Sequence, residues 1–295
     1  MKLINVSYLI CIFLCGSFSL NADVPVEEDS LLLKAQNLYE QGNYFEAGIA
    51  FERAYFFSSE TKKRLQANLG RAKALKQTGE FLKARNDLQR SLHLRQFPDL
   101  HFAIMYELAF CEYMAGNYSN SAGVTEQIKH FYPEKYDQKK ILRLDALANV
   151  MSENFIDAQE MTLELIMKIH TDPETADSLI VRTMQLFCEC AQPWERSVKT
   201  ASRLSTFIPG AGQAYVGYPG KGLLNAGSQL VSLGLAAYMG YNNLFVSGFV
   251  IGLGMFQSFY FGGIRQAGYL AEQRNLKEMG AYKELLKDFI IGLDD

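Results

Sequence analysis

The chain has 295 residues, of which 48% are hydrophobic and 21% are charged, and its net charge is −3. This length exceeds what one hydrophobic core usually serves, so we expect two structural regions. The nearly balanced charge gives no electrostatic basis for binding nucleic acid, and we expect no partner of that class.

The N-terminus has the composition of a targeting segment. Residues 1–22 begin with a lysine at position 2, continue as an apolar run and end in small residues at Ala22. This pattern predicts a secretory signal peptide over residues 1–22, with an uncleaved membrane anchor as the alternative. Residues 23–30 are acidic and contain a proline, so we expect them to form a short lead into the first helix.

An internal repeat follows this lead. Aromatic residues recur at a constant interval of 37 residues, at Tyr44, Phe81, Tyr118 and Phe155. A small residue follows each aromatic by three positions, at Ala47, Ala84, Ser121 and Ala158. Two positions before the aromatics lie Gly42, Gly79 and Gly116, with Glu153 in the fourth unit. Because several positions of each unit carry the same kind of residue, the interval indicates a structural repeat. Each unit is predicted to contain an apolar-periodic helix, a turn and a second apolar-periodic helix.

The repeat resembles the tetratricopeptide (TPR) repeat. The resemblance implies an all-α, TPR-like helical solenoid over residues 28–172, in which about four 37-residue helix pairs stack around a continuous core. A capping helix and a connector over residues 173–200 would close the exposed end of the fourth pair. The usual TPR period is about 34 residues, so the extra residues are expected to lengthen helices or turns.

The resemblance also implies a concave groove lined by the first helix of each unit. The groove positions carried over from the family are Leu32, Gln36, Tyr39, Leu69, Lys73, Lys76, Tyr106, Phe110, Tyr113 and Arg143, with Leu147 and Val150 as further positions in the fourth unit. Aromatic anchors beside lysines suit a peptide that carries apolar side chains and carboxylates. The alternative is that these aromatic side chains pack against the capping helix or the C-terminal tail.

Three cysteines remain once the predicted signal peptide is removed, at positions 111, 188 and 190. Cys188 and Cys190 lie two positions apart on a predicted helix and would point in different directions, so they cannot form a metal-ligand pair together. We expect the cysteines to be small buried side chains, with no disulfide framework.

The C-terminal part of the chain predicts a membrane domain. No charged residue lies between Lys221 and Arg265. Two apolar segments in that stretch, about residues 222–241 and 244–261, each approach the length needed to cross a bilayer, and two asparagines separate them. We therefore predict a Gly-rich turn and a transmembrane helical hairpin over residues 201–263. The alternative is a buried hairpin inside a soluble domain.

A glycine-rich motif precedes the predicted hairpin. It resembles the P-G-x-G-Q-x-Y-x-G signature of small bacterial integral membrane domains, and the matching positions are Pro209, Gly210, Gly212, Gln213, Tyr215, Gly217 and Gly222. The resemblance implies a membrane domain but no defined activity. We reject a nucleotide-binding loop, because no strand precedes the motif and neither nucleotide-binding glycine pattern is met.

The topology and the tail are predicted from charge and periodicity. Two crossings would place Lys221 and Arg265 on the side of the secreted repeats, against the positive-inside rule. We therefore favour a third crossing or re-entrant segment over residues 202–218. Residues 264–295 show helical spacing of apolar side chains, which predicts an amphipathic helix that lies on the membrane surface or packs on the repeats.

No arrangement of a nucleophile, a base and an orienting group is apparent, and the histidines have no metal-ligand spacing. We expect that the protein is not an enzyme and that it has no cofactor and no metal.

The repeat and the predicted hairpin together favour a membrane-anchored TPR adaptor of the bacterial envelope, located at the bacterial cell membrane with a periplasmic repeat domain. Its partners would be membrane lipid and a protein or peptide held in the groove. Alternatively, the hairpin is the working part, oligomerising or transport-associated, and the repeats are accessory.

Overall fold

The computed structural model of the chain describes residues 28–92, 95–136 and 138–294, and these residues form an all-α fold. The predicted signal peptide and most of the acidic lead lie outside the described residues. The chain divides into two units, Met1–Leu144 and Asp145–Asp295. The boundary falls inside a helix of the predicted fourth repeat, so the predicted solenoid region contributes to both units.

Unit 1 consists of helices that pack in sequence as pairs. In chain order they are α1 (Glu28–Glu40), α2 (Tyr44–Phe57), α3 (Thr61–Gln77), α4 (Phe81–Gln89), α5 (Pro98–Met114), α6 (Tyr118–Phe131), α7 (Pro133–Tyr136) and the first part of α8 (Lys139–Met151). The predicted all-α class is confirmed, and so is the packing of consecutive helices.

The 37-residue interval is visible in the backbone. Gly42, Gly79 and Gly116 all adopt positive φ values of 77–80°, and Glu153 adopts the same left-handed region with a φ of 68°. In each turn the left-handed residue donates to the carbonyl three positions earlier, and the next residue donates to the carbonyl five positions earlier. This pair of bonds is the Schellman motif, which satisfies the last carbonyls of a helix. The same helix stop therefore occurs four times in register.

The small residues of the repeat lie where two helices of a pair cross. Ala47, Ala84, Ser121 and Ala158 are all fully buried. The hydroxyl of Ser121 donates to the carbonyl of Ala109 at 2.8 Å, so this polar member of the series is satisfied inside the helix pair. Larger side chains at these positions would hold the two helices apart.

Unit 2 continues the helical pattern and then changes character. Its elements are the end of α8, α9 (Phe155–Ile169), α10 (Pro173–Phe187), α11 (Val198–Phe207), α12 (Ala211–Tyr215), α13 (Pro219–Tyr241), α14 (Phe245–Ser247), a π-helical segment (Gly248–Leu253), α15 (Gly254–Ile291) and a final 3-10 turn (Gly292–Asp294). α13 pairs with the π-helical segment and the first part of α15.

α15 is one continuous helix of 38 residues, and at 1.5 Å per residue it is about 57 Å long. The expected boundary between residues 263 and 264 lies inside it. Its C-terminal part packs on α9 and α10: the Tyr282 hydroxyl donates to the carbonyl of Leu186 at 2.7 Å, and the Tyr282 and Phe155 rings lie 5.3 Å apart. Lys283 pairs with Glu153 at 2.7 Å. The tail was expected to lie on the membrane surface or to pack on the repeats, and in the structure its C-terminal part packs on the fourth helix pair.

The third membrane crossing favoured for residues 202–218 does not form as a span. α11 has ten residues and α12 has five, and both are far shorter than the roughly 20 residues that a crossing helix needs. Instead α11 packs along α15, where Ala201 joins Ala267, Leu270 and Ala271 in a buried cluster. The Pro-Gly break ends α11 before it could extend.

The expectation of two free, buried cysteines at positions 188 and 190 is wrong. α10 ends at Phe187, so these residues lie in a turn and not on a helix, and a disulfide joins them. Cys190 is exposed. Cys111 is a free, buried cysteine.

Candidate functional site

Unit 1 contains an open cavity of about 480 Å³ between α1, α3 and α5. Its walls include four of the predicted groove residues: Gln36, Tyr39, Leu69 and Lys73. They come from the first helices of the first two units. These helices are separated in the sequence, with Gln36 and Leu69 33 positions apart, but the four residues face one space. The remaining lining residues are Glu40, Phe51, Gln66, Gly70 and Leu100.

The floor of this cavity depends on a glycine. A Cβ atom on Gly70 would overlap the ring of Phe51, so glycine is needed for the ring to pack directly against α3. Phe51 is buried and packs in a cluster with Ala47 and Ala74. Sequence reasoning did not place Gly70 at the site. The signal was present in Phe51, which follows the repeat aromatic Tyr44 by seven positions, where the other units have smaller side chains.

The rim of the cavity is polar and carries both signs of charge. Lys73 is half-buried, and no ion-pair partner for it exists within the described part of the chain. Glu40 supplies a carboxylate, and Gln36 and Gln66 supply two amides. The hydroxyl of Tyr39 accepts from Gln77 Nε2 at 3.5 Å. The cavity therefore combines an apolar floor with groups that can bind a carboxylate and the backbone of an extended peptide.

Lys76, the second predicted groove cation, is engaged within unit 1. Its ammonium lies 2.6 Å from the carboxylate of Glu107 and 4.8 Å from the centre of the Phe110 ring. Glu107 is buried, and a buried carboxylate needs an opposite charge beside it. The structure thus assembles Lys76, Glu107 and Phe110 into an internal cluster, apart from the cavity lining.

The other predicted groove residues also make internal contacts. Lys140 lies 4.7 Å above the Tyr106 ring, and burial raises the pKa of the Tyr106 hydroxyl. Tyr113 packs edge-on against Tyr118 at 5.4 Å. Leu32 packs on the core of α1 and α2, and Arg143 is half-buried on α8. Leu147 and Val150 are buried in unit 2, so they are core positions and not open groove positions.

The glycine-rich motif forms a tightly packed joint between helices. Gln213 is 0% exposed; its Oε1 accepts from Ser205 Oγ at 2.9 Å and its Nε2 donates to the carbonyl of Gly263 at 2.8 Å. A Cβ atom on Gly212 would overlap the carbonyl of Ala201, and one on Gly210 would overlap the backbone of Gly222. The glycines therefore allow close backbone approach, and the glutamine joins α11, α12 and α15.

The remaining motif residues complete this joint. Gly217 has a φ of 91° and lies against the Arg274 guanidinium, which donates to the carbonyl of Val216. Pro209 follows the end of α11. Tyr215 packs edge-on against Trp194 at 5.8 Å.

The faces of α13 and α15 that meet combine small and polar residues. A Cβ atom on Gly252 would overlap Ala236, and one on Gly263 would overlap the Asn225 side chain. Gln229 is 2% exposed, and neither of its amide atoms has a hydrogen-bond partner in the described part of the chain. The Nδ2 atom of Asn225 is in the same situation. Burial of amide groups without hydrogen-bond partners is energetically costly.

The outer surface of the same helices is apolar. Side chains that are largely exposed include Leu223, Leu224, Leu230, Val231, Val246, Phe249 and Val250. Among the described residues one helix, Phe245–Ile291, is long and apolar enough to cross a membrane. α13 has the length, but its polar and glycine residues lower its hydropathy. Polar residues inside and apolar residues outside are the reverse of the usual arrangement in water.

The described residues contain no group of three or more His, Cys, Asp or Glu side chains that could hold a metal ion. The buried histidine His101 has a structural environment: Nδ1 lies 2.8 Å from the Tyr132 hydroxyl, and Nε2 lies 2.9 Å from the carbonyl of Leu92. Burial lowers the pKa of this imidazole, which keeps the ring neutral at physiological pH.

No protein-family model matches this chain, and neither a curated protein nor a solved structure is significantly similar to it.

Proposed function

We propose that this chain is a membrane-anchored adaptor of the bacterial envelope, in which the cavity of unit 1 binds a segment of another protein. The observation that supports this most directly is the convergence of Gln36, Tyr39, Leu69 and Lys73 on one open cavity. These residues belong to helices in different repeats, and a groove assembled from successive repeats is typical of solenoid proteins that bind peptides.

The repeats are proposed to form a TPR-like solenoid. Four Schellman turns at 37-residue intervals and four fully buried small residues support this architecture, because they give each unit the same helix stop and the same close helix crossing. Each pair would leave an apolar face that only the next pair covers.

The chemistry of the cavity favours an acidic, extended peptide. Phe51 and Leu69 offer an apolar floor over which one side chain of the ligand could pack. Lys73, which has no internal ion pair among the described residues, would hold a carboxylate of that ligand. Gln36 and Gln66 would exchange hydrogen bonds with the peptide backbone.

The hairpin is proposed to anchor the protein in the bilayer. Gly222–Tyr241 of α13 spans about 30 Å, which matches the thickness of the hydrocarbon core. Tyr238 and Tyr241 lie exposed at one end, beside the two asparagines of the turn, and Lys221 and Arg265 lie exposed at the other. Aromatic and charged groups at the two ends of an apolar span are typical of membrane helices.

This arrangement gives a topology. α15 continues from the proposed span to its contacts with α9 and α10, which form the C-terminal end of the repeats. The repeats would therefore lie on the same side of the membrane as Lys221 and Arg265. The predicted signal peptide favours export. We therefore place the repeats in the periplasm and the turn at Asn242 in the cytoplasm.

A charge exchange tests the binding proposal. We expect peptides selected from a random library by the purified chain in detergent to be enriched in Asp and Glu. The variant Lys73→Glu should select basic residues at the same peptide position, because the charge in the cavity is reversed. The matched control Lys83→Glu, on the exposed surface of α4, should retain the original preference. Identical selections by the parent and by Lys73→Glu would contradict the proposal.

A second candidate function makes the helix pair the working part. The buried amides of Asn225 and Gln229, which have no partner in the described chain, favour it. Replacing residues 222–262 with an unrelated transmembrane hairpin distinguishes the two functions and leaves the contacts of α15 with α9 and α10 in place. Retained cellular function would favour the adaptor, and lost function with normal protein levels would favour the helix pair.

A further inference from the structure

We infer that the end of α11 is an anchor for anionic lipid, with Phe207 and Ile208 inserted at the boundary between headgroups and acyl chains and nearby basic side chains bound to lipid phosphates. This inference rests on the proposed membrane span. It adds a second contact with the bilayer, confined to the leaflet at the periplasmic end of the hairpin.

The first observation is an uncovered apolar tip. Phe207 is 84% exposed and Ile208 is 63% exposed, while Ala201 and Ser205 on the same helix are buried against the joint. One face of α11 is therefore held in place and its end is left uncovered. Apolar side chains left uncovered at such a tip can enter the boundary between headgroups and acyl chains, where amphipathic segments bury their apolar residues.

The second observation is the position of this tip along the proposed membrane span. α11 runs antiparallel to α15: Ser202 lies beside Gly268, and the carbonyl of Thr206 accepts from the Tyr260 hydroxyl at 3.0 Å. The backbone of Gly210, just after the tip, approaches that of Gly222, where the uncharged stretch of the chain begins. Phe207 and Ile208 therefore lie at the end of the proposed span, continuous with its apolar outer surface.

The third observation is charge. Between Glu195 and Glu272 the chain has no acidic residue, but it has five basic ones. One of them, Arg196, is paired with Glu278 at 2.6 Å. The other four are exposed and have no ion-pair partner in the described part of the chain: Lys199, Arg203, Lys221 and Arg265.

These four cations also resolve a conflict in the topology. The positive-inside rule disfavours basic residues on the exported side of a membrane. Binding of lipid phosphates to Lys199, Arg203, Lys221 and Arg265 would give them a stabilising partner there. The occupant of the surface is therefore an anionic phospholipid and not a neutral one.

The anchor can be tested by the depth of a single tryptophan. Trp194 is the only tryptophan in the sequence, so Trp194→Phe combined with Phe207→Trp places one reporter at the tip. The full chain is reconstituted in phosphatidylcholine vesicles brominated at shallow or at deep acyl positions. Matched reporters are Leu230→Trp on the outer face of α13 and Phe45→Trp on the exposed surface of unit 1, both in the Trp194→Phe background.

We expect shallow bromine to quench the tip reporter more than deep bromine does, deep bromine to quench the Leu230→Trp reporter, and neither to quench the Phe45→Trp reporter. A quenched Leu230→Trp reporter with an unquenched tip reporter would overturn the anchor and leave the proposed span intact. That result would also follow if a second copy of the chain covered the tip. If neither reporter is quenched, the span and the anchor both fail.

Lipid charge is tested with the same tip reporter. A fixed small fraction of brominated phosphatidylglycerol in unlabelled phosphatidylcholine should quench it about two-fold more than the same fraction of brominated phosphatidylcholine, because the anionic lipid is enriched at the site. High salt should abolish this preference, and so should the triple variant Arg203→Gln, Lys221→Gln, Arg265→Gln. Equal quenching by the two lipids in the parent would overturn the inference of an anionic occupant.

Discussion

At the scale of single residues, the fourth repeat turn differs from the other three because a glutamate takes the position of the glycine. Gly42, Gly79 and Gly116 adopt the left-handed conformation without steric cost, whereas Glu153 adopts it with a side chain. The same turn is therefore formed by favourable residues three times and by an unfavourable one once. The ion pair between Glu153 and Lys283 of α15 offsets part of this cost.

We predict that Glu153→Gly raises the free energy of unfolding by about 1 kcal/mol relative to Glu153→Ala, because both variants lose the ion pair and only glycine relieves the left-handed strain. Chemical denaturation of the two variants measures the difference. The matched control is Gly116→Ala, where a Cβ atom would meet nothing within 4 Å, so that only the backbone strain should lower stability. Equal stabilities of the two Glu153 variants would contradict the prediction.

Cys111 provides a prediction about reactivity. Burial raises the pKa of its thiol to about 12, and the neighbouring Glu107 acts in the same direction. Since the thiolate is the reactive form, less than about 0.1% of this thiol is reactive at pH 8 in the folded protein. Peptide mapping after iodoacetamide treatment should find Cys111 unmodified in the native chain and modified after denaturation. Rapid modification of the native chain at pH 8 would show that the site is open.

At the scale of elements, two buried glutamines are in opposite situations, Gln213 on α12 and Gln229 on α13. Gln213 has its amide oxygen and nitrogen satisfied by Ser205 and Gly263, while Gln229 has neither satisfied within the described chain. Removing a satisfied buried amide leaves its partners unpaired, whereas removing an unsatisfied one relieves its desolvation cost. The two residues are therefore a matched pair for mutation.

We predict that Gln229→Leu stabilises the detergent-solubilised protein by about 1–2 kcal/mol, and that Gln213→Leu destabilises it by a similar amount. Thermal unfolding followed by circular dichroism measures both changes. Destabilisation by Gln229→Leu would mean that a bound water or ligand satisfies this amide, and it would strengthen the second candidate function.

The elements also show what the sequence could and could not predict. The repeat turns were predictable because a positive φ selects glycine locally, and the 37-residue interval made that selection visible. The continuity of α15 through Gly262 and Gly263 was not predictable in this way, because the role of Gly263 is to accommodate Asn225 from a helix far away in the chain. Likewise, α10 ends at Phe187, so that the two cysteines lie in a turn, but no glycine or proline directly follows Phe187 to predict this end.

At the scale of the whole molecule, the candidate cavity was predictable only in part. The repeat positions of Gln36, Tyr39, Leu69 and Lys73 predicted a shared groove, and these four residues line one cavity. Lys76 was predicted to line the same groove but is paired with Glu107, a residue of the next repeat whose charge the repeat positions do not specify. The position of a residue in the repeat predicts which way its side chain faces. Contacts with the neighbouring helix then determine whether that side chain is available to bind a ligand.

The measurement that tests the central proposal most directly is photo-crosslinking from inside the cavity of the full-length protein in cells. A photoreactive phenylalanine analogue at Gln66 should give a discrete adduct with an envelope protein, and Lys73→Glu should remove that adduct. The same analogue at Asn86, on the exposed surface of α4, should give none. Identical adducts from the two positions, or no adduct from Gln66 while the protein is present at normal levels, would contradict the account.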